Sequence, residues 1–129
     1  MTKQATITML KDTNNKKRFD LEDRTTQFAI RVVRLCKRLP RNPINDRIIG
    51  QLTGSSGSIG ANYREANDAL GKKDFILRIK IARKESKEAI HWLELLKVAN
   101  TEINSEANDL IDEAIEYKKI LSSIIAKCV

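Results

Sequence analysis

The sequence predicts an all-α fold, an antiparallel up-down four-helix bundle, and three observations predict it. Apolar residues recur at three- and four-residue steps in four separate stretches of the 129-residue chain, as they do along a buried helix face. The only prolines, Pro40 and Pro43, fall within one candidate turn. The breaks between stretches are short, and short turns join antiparallel neighbours. One domain is the natural count at this length.

Residues 1–18 are polar and end in the basic run Lys16-Lys17-Arg18. They read as a mobile basic arm, with a short strand or turn near Ile7 to Leu10. Helix one is expected over about 21–39. Asp20 is its N-cap, Leu21, Phe28, Val32, Leu35 and Leu39 share its buried face, and Pro40 stops it.

Helix two is expected over 43–69, with Asn42 as cap and Pro43 in the first turn. Ile44, Ile48, Leu52, Ser55, Ile59, Asn62 and Ala66 make its inward face. Beside them Gly50, Gly54, Gly57 and Ala61 form a seam of small residues. Each interior glycine costs a helix about 1 kcal/mol relative to alanine. Close approach to a neighbouring helix would offset that; by propensity alone, 54–57 reads as a loop. Gly71 closes the helix.

Helix three is expected over 73–99. Phe75, Ile79, Ala82, Ser86, Ala89, Leu93 and Leu96 alternate four- and three-residue steps, a heptad seam. Helix four is expected over 105–127. Ser105, Glu106 and Asp109 suit a helix N-terminus, and Ala107, Leu110, Ile111, Ala114, Leu121, Ile124, Ile125 and Cys128 form its apolar face.

Lys and Arg number 24 against 17 Asp and Glu, a net charge of +7. A basic surface attracts polyanions, RNA or DNA among them. No apolar run is long enough to span a membrane. The N-terminus lacks the core of a secretory peptide, so a cytoplasmic location and no membrane partner are expected. Cys36 and Cys128 lie on apolar helical faces and read as buried free thiols.

Ser58-Ile59-Gly60-Ala61-Asn62-Tyr63-Arg64-Glu65-Ala66 resembles the Ser-Ile-Pro-x-Asn-Ile-Ala-Glu-Gly signature of the proteins encoded in 23S rRNA intervening sequences, the S23-like four-helix-bundle family. The accessory proteins of diversity-generating retroelements are similar. Lys73-Asp74-Phe75-Ile76 resembles the family's start of helix three, and 79–88 the stretch that follows. Gly60 stands where the family has proline, and Ala66 where it has glycine. The resemblance covers about residues 19–128. It implies a non-enzymatic homo-oligomer, typically a pentameric ring with a positive surface. In the retroelement relatives that surface engages nucleic acid and a reverse transcriptase.

Charge is polarised along the chain. Residues 1–20 carry +3, 21–41 carry +4, 42–71 carry −1, 72–100 carry +4 and 101–129 carry −3. On helix three, Lys73, Lys80, Lys84 and Lys87 fall on one stripe opposite the apolar seam. On helix one, Arg24, Arg31 and Arg38 flank the apolar face, with Arg34, Lys37 and Arg41 further out. Helix four carries the acidic stripe Glu102, Glu106, Asp109, Glu113 and Glu116. Three readings stand: the basic stripes grip phosphates, basic and acidic faces of adjacent subunits meet head to tail, or both are solvated. Helix one and the arm are expected to supply most nucleic-acid affinity, and Glu106, Asp109, Glu113 and Glu116 to help assembly. The rival reading is a protein-interaction module docking a partner without direct nucleic-acid contact.

No catalytic constellation is evident, and no cofactor or metal is expected. Glu88-x-x-His91 fits half of a di-metal site, but His91 is the only histidine. Gly54-Ser55-Ser56-Gly57-Ser58-Ile59-Gly60 lacks the Gly-Lys-Ser/Thr of a phosphate loop. Asn62 and Ser86 are polar residues on apolar seams and need partners. Asn62 is expected to bond across to helix three, at Ser86 or Glu85, and to set register there. Glu65 belongs to the same structural group, with Gly50, Gly54 and Gly57.

Overall fold

The computed structural model describes the chain from Asn15 to Cys128, with side chains from Leu21 onward. Four helices follow one another: α1 (Asn15–Lys37), α2 (Pro43–Asn67), α3 (Lys72–Ala99) and α4 (Asn104–Cys128), with a single 3-10 turn, Thr101–Ile103, before the last. The expected strand or turn near Ile7 to Leu10 lies outside the described residues. Helix one starts earlier than the pattern suggested. Nothing in 15–20 breaks a helix, and Lys and Arg favour one. Asp20 is therefore inside α1 and is not its cap, and residues 15–18 belong to the helix and not to the arm.

Local chemistry explains the ends. After Lys37, the amides of Arg38 and Leu39 bond back to the Leu35 and Cys36 carbonyls at 3.1 Å, tightening the last turn before Pro40. Asn42 Oδ1 accepts from the Asn45 amide at 2.8 Å, and Pro43 follows at the first helical position. From there α2 runs unbroken through Gly54 and Gly57.

The helices surround the core in chain order, so α1 packs between α2 and α4 and lies diagonally across from α3. All seven heptad positions of α3 are buried. On α2 the seam is rotated slightly from expectation. Ile44 is 65% exposed while Asn45, Ser56 and Tyr63 turn inward, and Asn62 sits at the edge. On α4 the buried face includes Tyr117, an addition to the expected set, and Ile124 is only partly covered. Cys36 and Cys128 are buried free thiols, and burial pushes Cys36 up to about 11.

The glycines divide into two kinds. A Cβ on Gly60 would lie 2.8 Å from Thr25 Oγ1, so α1 and α2 approach closely here. Gly50, Gly54 and Gly57 correct the expectation of an internal seam. They are exposed, and a Cβ on any of them would meet nothing within 4 Å. At one end of the bundle Asn45 and Asn100 form a buried reciprocal amide pair. Asn45 Nδ2 donates to Asn100 Oδ1 (3.1 Å) and to the Pro40 carbonyl (2.8 Å). Asn100 Nδ2 donates to Asn45 Oδ1 (2.8 Å) and to the Leu96 carbonyl (3.2 Å). All four amide hydrogens are satisfied, as buried polar groups require.

Candidate nucleic-acid interface

The core seam of α3 turns its opposite face to solvent. Lys73, Lys80, Lys84 and Lys87 are all exposed there and make no ion pair among the described residues. At 1.5 Å per residue the four ammonium stems span about 21 Å along the axis. Leu77 and Leu95 are exposed on the same helix, and His91 lies beyond Lys87. Glu85 borders the face. Burial, then the neighbouring Glu88 carboxylate, raise its pKa above the ordinary glutamate value.

The cations of α1 are placed differently. Arg24 grips Glu113 with two hydrogen bonds, Nε to Oε2 at 3.3 Å and Nη2 to Oε1 at 3.0 Å, and also meets Glu116 at 3.2 Å. Tyr117 donates its hydroxyl to Glu113 Oε2 at 2.6 Å, lies under the Arg24 guanidinium at 5.4 Å, and stacks edge-on against Phe28 at 5.5 Å. The Glu113 hydrogen bond raises Arg24 further. Burial opposes ionisation of Glu113, but the bonds from Arg24 and Tyr117 outweigh it and hold its carboxyl below the usual range. Burial, then the bond to Glu113, raise the Tyr117 phenol.

Arg38 pairs with Glu106, and Arg41 with Asp46 at 2.6 Å. Three of the four acids expected to serve assembly are paired within their own chain, Glu113 and Glu116 with Arg24 of α1 and Glu106 with Arg38 just past its end; Asp109 stays exposed and unpaired among the described residues. Three of the six cations assigned to nucleic acid on helix one, Arg24, Arg38 and Arg41, are engaged with carboxylates. Arg31, Arg34 and Lys37 make no such pair among the described residues. Because α1 and α3 are diagonal, their outward cations face opposite sides of the bundle and do not form one patch.

The polar residues of the signature are structural in placement. Asn62 does reach α3, but its partner is Arg78: Arg78 Nη1 donates to Asn62 Oδ1 at 3.4 Å, and Asn62 Nδ2 donates to the Ser58 carbonyl at 2.9 Å. Ser86 turns back to the Ala82 carbonyl at 2.9 Å and is not available to Asn62. Glu65 is exposed with no ion pair among the described residues. The serines of 54–60 that have partners spend their hydroxyls on the helix itself, Ser58 on Gly54 at 2.8 Å and Ser55 on Leu52 at 3.2 Å. Sequence reasoning missed the Arg24–Glu113–Tyr117 cluster. Its one signal was that Arg24 and Glu113 lie on the flanks of their apolar faces.

Among the described residues no three His, Cys, Asp or Glu side chains gather to hold a metal, and no helix is long and apolar enough to cross a membrane. Phe28, Tyr63, Phe75 and Tyr117 are buried and Trp92 is half-buried against His91, so among the described residues the imidazole of His91, at one end of the lysine row, is the one exposed ring on which a base could stack.

Fold and surface together define a four-helix bundle that carries a row of four exposed lysines on α3 and three exposed cations, Arg31, Arg34 and Lys37, on α1, all unpaired among the described residues. The family model described as 23S rRNA-intervening sequence protein matches residues 17–123, and the chain belongs to that family. A crystal structure from Bacteroides thetaiotaomicron, of a protein with unknown function from the S23 ribosomal protein family, superposes with a TM-score of 0.74 at 35% identity. The match covers 85% of this chain and 98% of that one. No curated protein sequence matches significantly.

Proposed function

We propose that this chain is a non-catalytic protein that holds structured RNA by its phosphate backbone, through the outer face of α3. The observation that carries this reading is the row of four exposed lysines, Lys73, Lys80, Lys84 and Lys87, all without ion pairs among the described residues, whereas on and just after α1 three cations, Arg24, Arg38 and Arg41, are engaged with carboxylates and three, Arg31, Arg34 and Lys37, are not. The reading therefore moves most of the affinity to α3 from helix one, which the charge pattern had named together with the N-terminal arm. Lysine is a compact point charge well suited to phosphate and lacks arginine's planar fork. With no exposed Phe, Tyr or Trp beside the row among the described residues, binding is backbone-driven and tolerant of sequence. The family's name makes ribosomal RNA the first polyanion to test.

The test is fluorescence anisotropy with a labelled hairpin from 23S rRNA. Lys73, Lys80, Lys84 and Lys87 are changed together to Gln in one variant, and Arg31, Arg34 and Lys37 in another. The α3 variant loses most binding while the α1 variant keeps it. Equal loss in both, or loss in the α1 variant alone, contradicts the assignment. The pentameric ring implied by the resemblance is a separate proposal. It needs head-to-tail faces, and the pairing of Glu106, Glu113 and Glu116 within the chain removes most of the acidic half first assigned to it.

A further inference from the structure

We infer that the α3 face beyond Lys87 receives an unpaired RNA base, which stacks on the imidazole of His91. The inference rests on the RNA reading and deepens it. The RNA it selects is a stem whose strand continues single-stranded past the last base pair.

Helical geometry puts the ring in line with the lysines. Lys73 and His91 are eighteen residues apart, about five whole turns, so they share one direction around the helix axis. Lys80, Lys84 and Lys87 fall within about 40° of that line. His91 comes about 6 Å after Lys87 along the axis, and Leu95 and Val98 follow it about 6 Å and about 10 Å further on. His91 is exposed, Leu95 is 39% exposed and Val98 80%.

The chemistry of the face changes at Lys87. Residues 73–87 hold six cations against two acids, whereas 88–98 hold two acids, Glu88 and Glu94, and one cation, Lys97. Lys97 is held by Glu94 at 3.5 Å and by Asn108 Oδ1 at 2.7 Å. A phosphate that followed the helix past Lys87 would leave its cations and meet carboxylates. The surface there offers instead a flat ring and two aliphatic side chains facing water. A base has a face to lay on them, and stacking of this kind tolerates any base. Inside a duplex those faces are already stacked, so only an unpaired nucleotide can supply one. The ring is also braced. Trp92, half-buried against the core, stands edge to face with His91, their centroids 4.9 Å apart and their planes at 70°.

Fluorescence anisotropy of the full chain with defined RNA duplexes tests this. The probes are a blunt duplex, the same duplex with three unpaired adenosines at each 3′ end, and the same with three at each 5′ end. One extended duplex binds the wild type about fivefold tighter than the blunt one, or more. His91→Ala removes the ring and His91→Lys replaces it with a charge; both bring that ratio to about one. His91→Phe keeps a ring and keeps the preference. Leu77→Ala, at an exposed apolar position between Lys73 and Lys80, keeps it too. Trp92 is the only tryptophan, so its emission at saturation changes more with the extended probe than with the blunt one. Lys80→Gln/Lys84→Gln weakens all probes together and reads the phosphate grip separately. A wild type that binds every probe equally through those lysines overturns the inference and leaves the RNA reading standing. A preference that survives in His91→Lys overturns it as well, and a wild type that binds no probe overturns both.

Discussion

Arg24, Glu113 and Tyr117 hold α1 against α4 by side chains reaching across, where the backbones stay well apart. Glu113→Gln leaves the guanidinium short of its partner and is expected to cost about 1–2 kcal/mol in urea unfolding. Tyr117→Phe keeps the ring on Phe28 and loses the hydroxyl's contacts with Glu113 and with the Arg24 carbonyl, at a cost of about 1 kcal/mol. Glu113 is more acidic folded than unfolded, so its contribution is present above the ordinary glutamate range. It is lost as pH falls through the lowered value and does not vary around neutrality. Wild-type stability therefore declines at acid pH more steeply than that of Glu113→Gln; parallel curves would contradict this. Gly60 is the other decisive single residue. Gly60→Ala drives a methyl to 2.8 Å from the Thr25 hydroxyl, which is buried and bonded to the Leu21 carbonyl at 2.9 Å. It is expected to destabilise by about 1–3 kcal/mol, with part of the loss recovered in Thr25→Ala/Gly60→Ala.

Elements were legible where burial and periodicity coincide. The α3 seam was read correctly at every position because its partners on both sides are apolar and its period is regular. Asn45 was missed because its burial depends on Asn100, 55 residues away, and on the Pro40 carbonyl. A local pattern ranks Ile44 above it, although Ile44 points to water. The same pair ties the α1–α2 turn to the start of α2 and the end of α3. Asn45→Ala or Asn100→Ala strands a buried amide and is expected to cost about 2–3 kcal/mol. The double variant should cost clearly less than the sum, since each loses the same bonds. Strict additivity in a thermal-melt cycle would show that the two amides do not act as a unit. The glycine seam was visible, but its direction was not. Small residues at helical spacing look alike whether they face the core or the solvent, and only the position of Ile59 against the core resolves it.

At the scale of the whole molecule, charge does two jobs on different sides. Between α1 and α4 opposite charges meet and are used for packing, and this removes Arg24 and Arg38 from the apparent basic surface. On α3 lysines stand without partners, diagonal to that pairing. Segment charges alone could not separate the two, because +4 on the first helix and +4 on the third look equivalent until the fold shows which carboxylates each can reach. The most direct measurement is the salt dependence of RNA-hairpin affinity. Four phosphate contacts give a log–log slope of about −3 to −4 for the wild type, and Lys80→Gln/Lys84→Gln should reduce its magnitude by about 2. An unchanged slope in that variant would contradict the account.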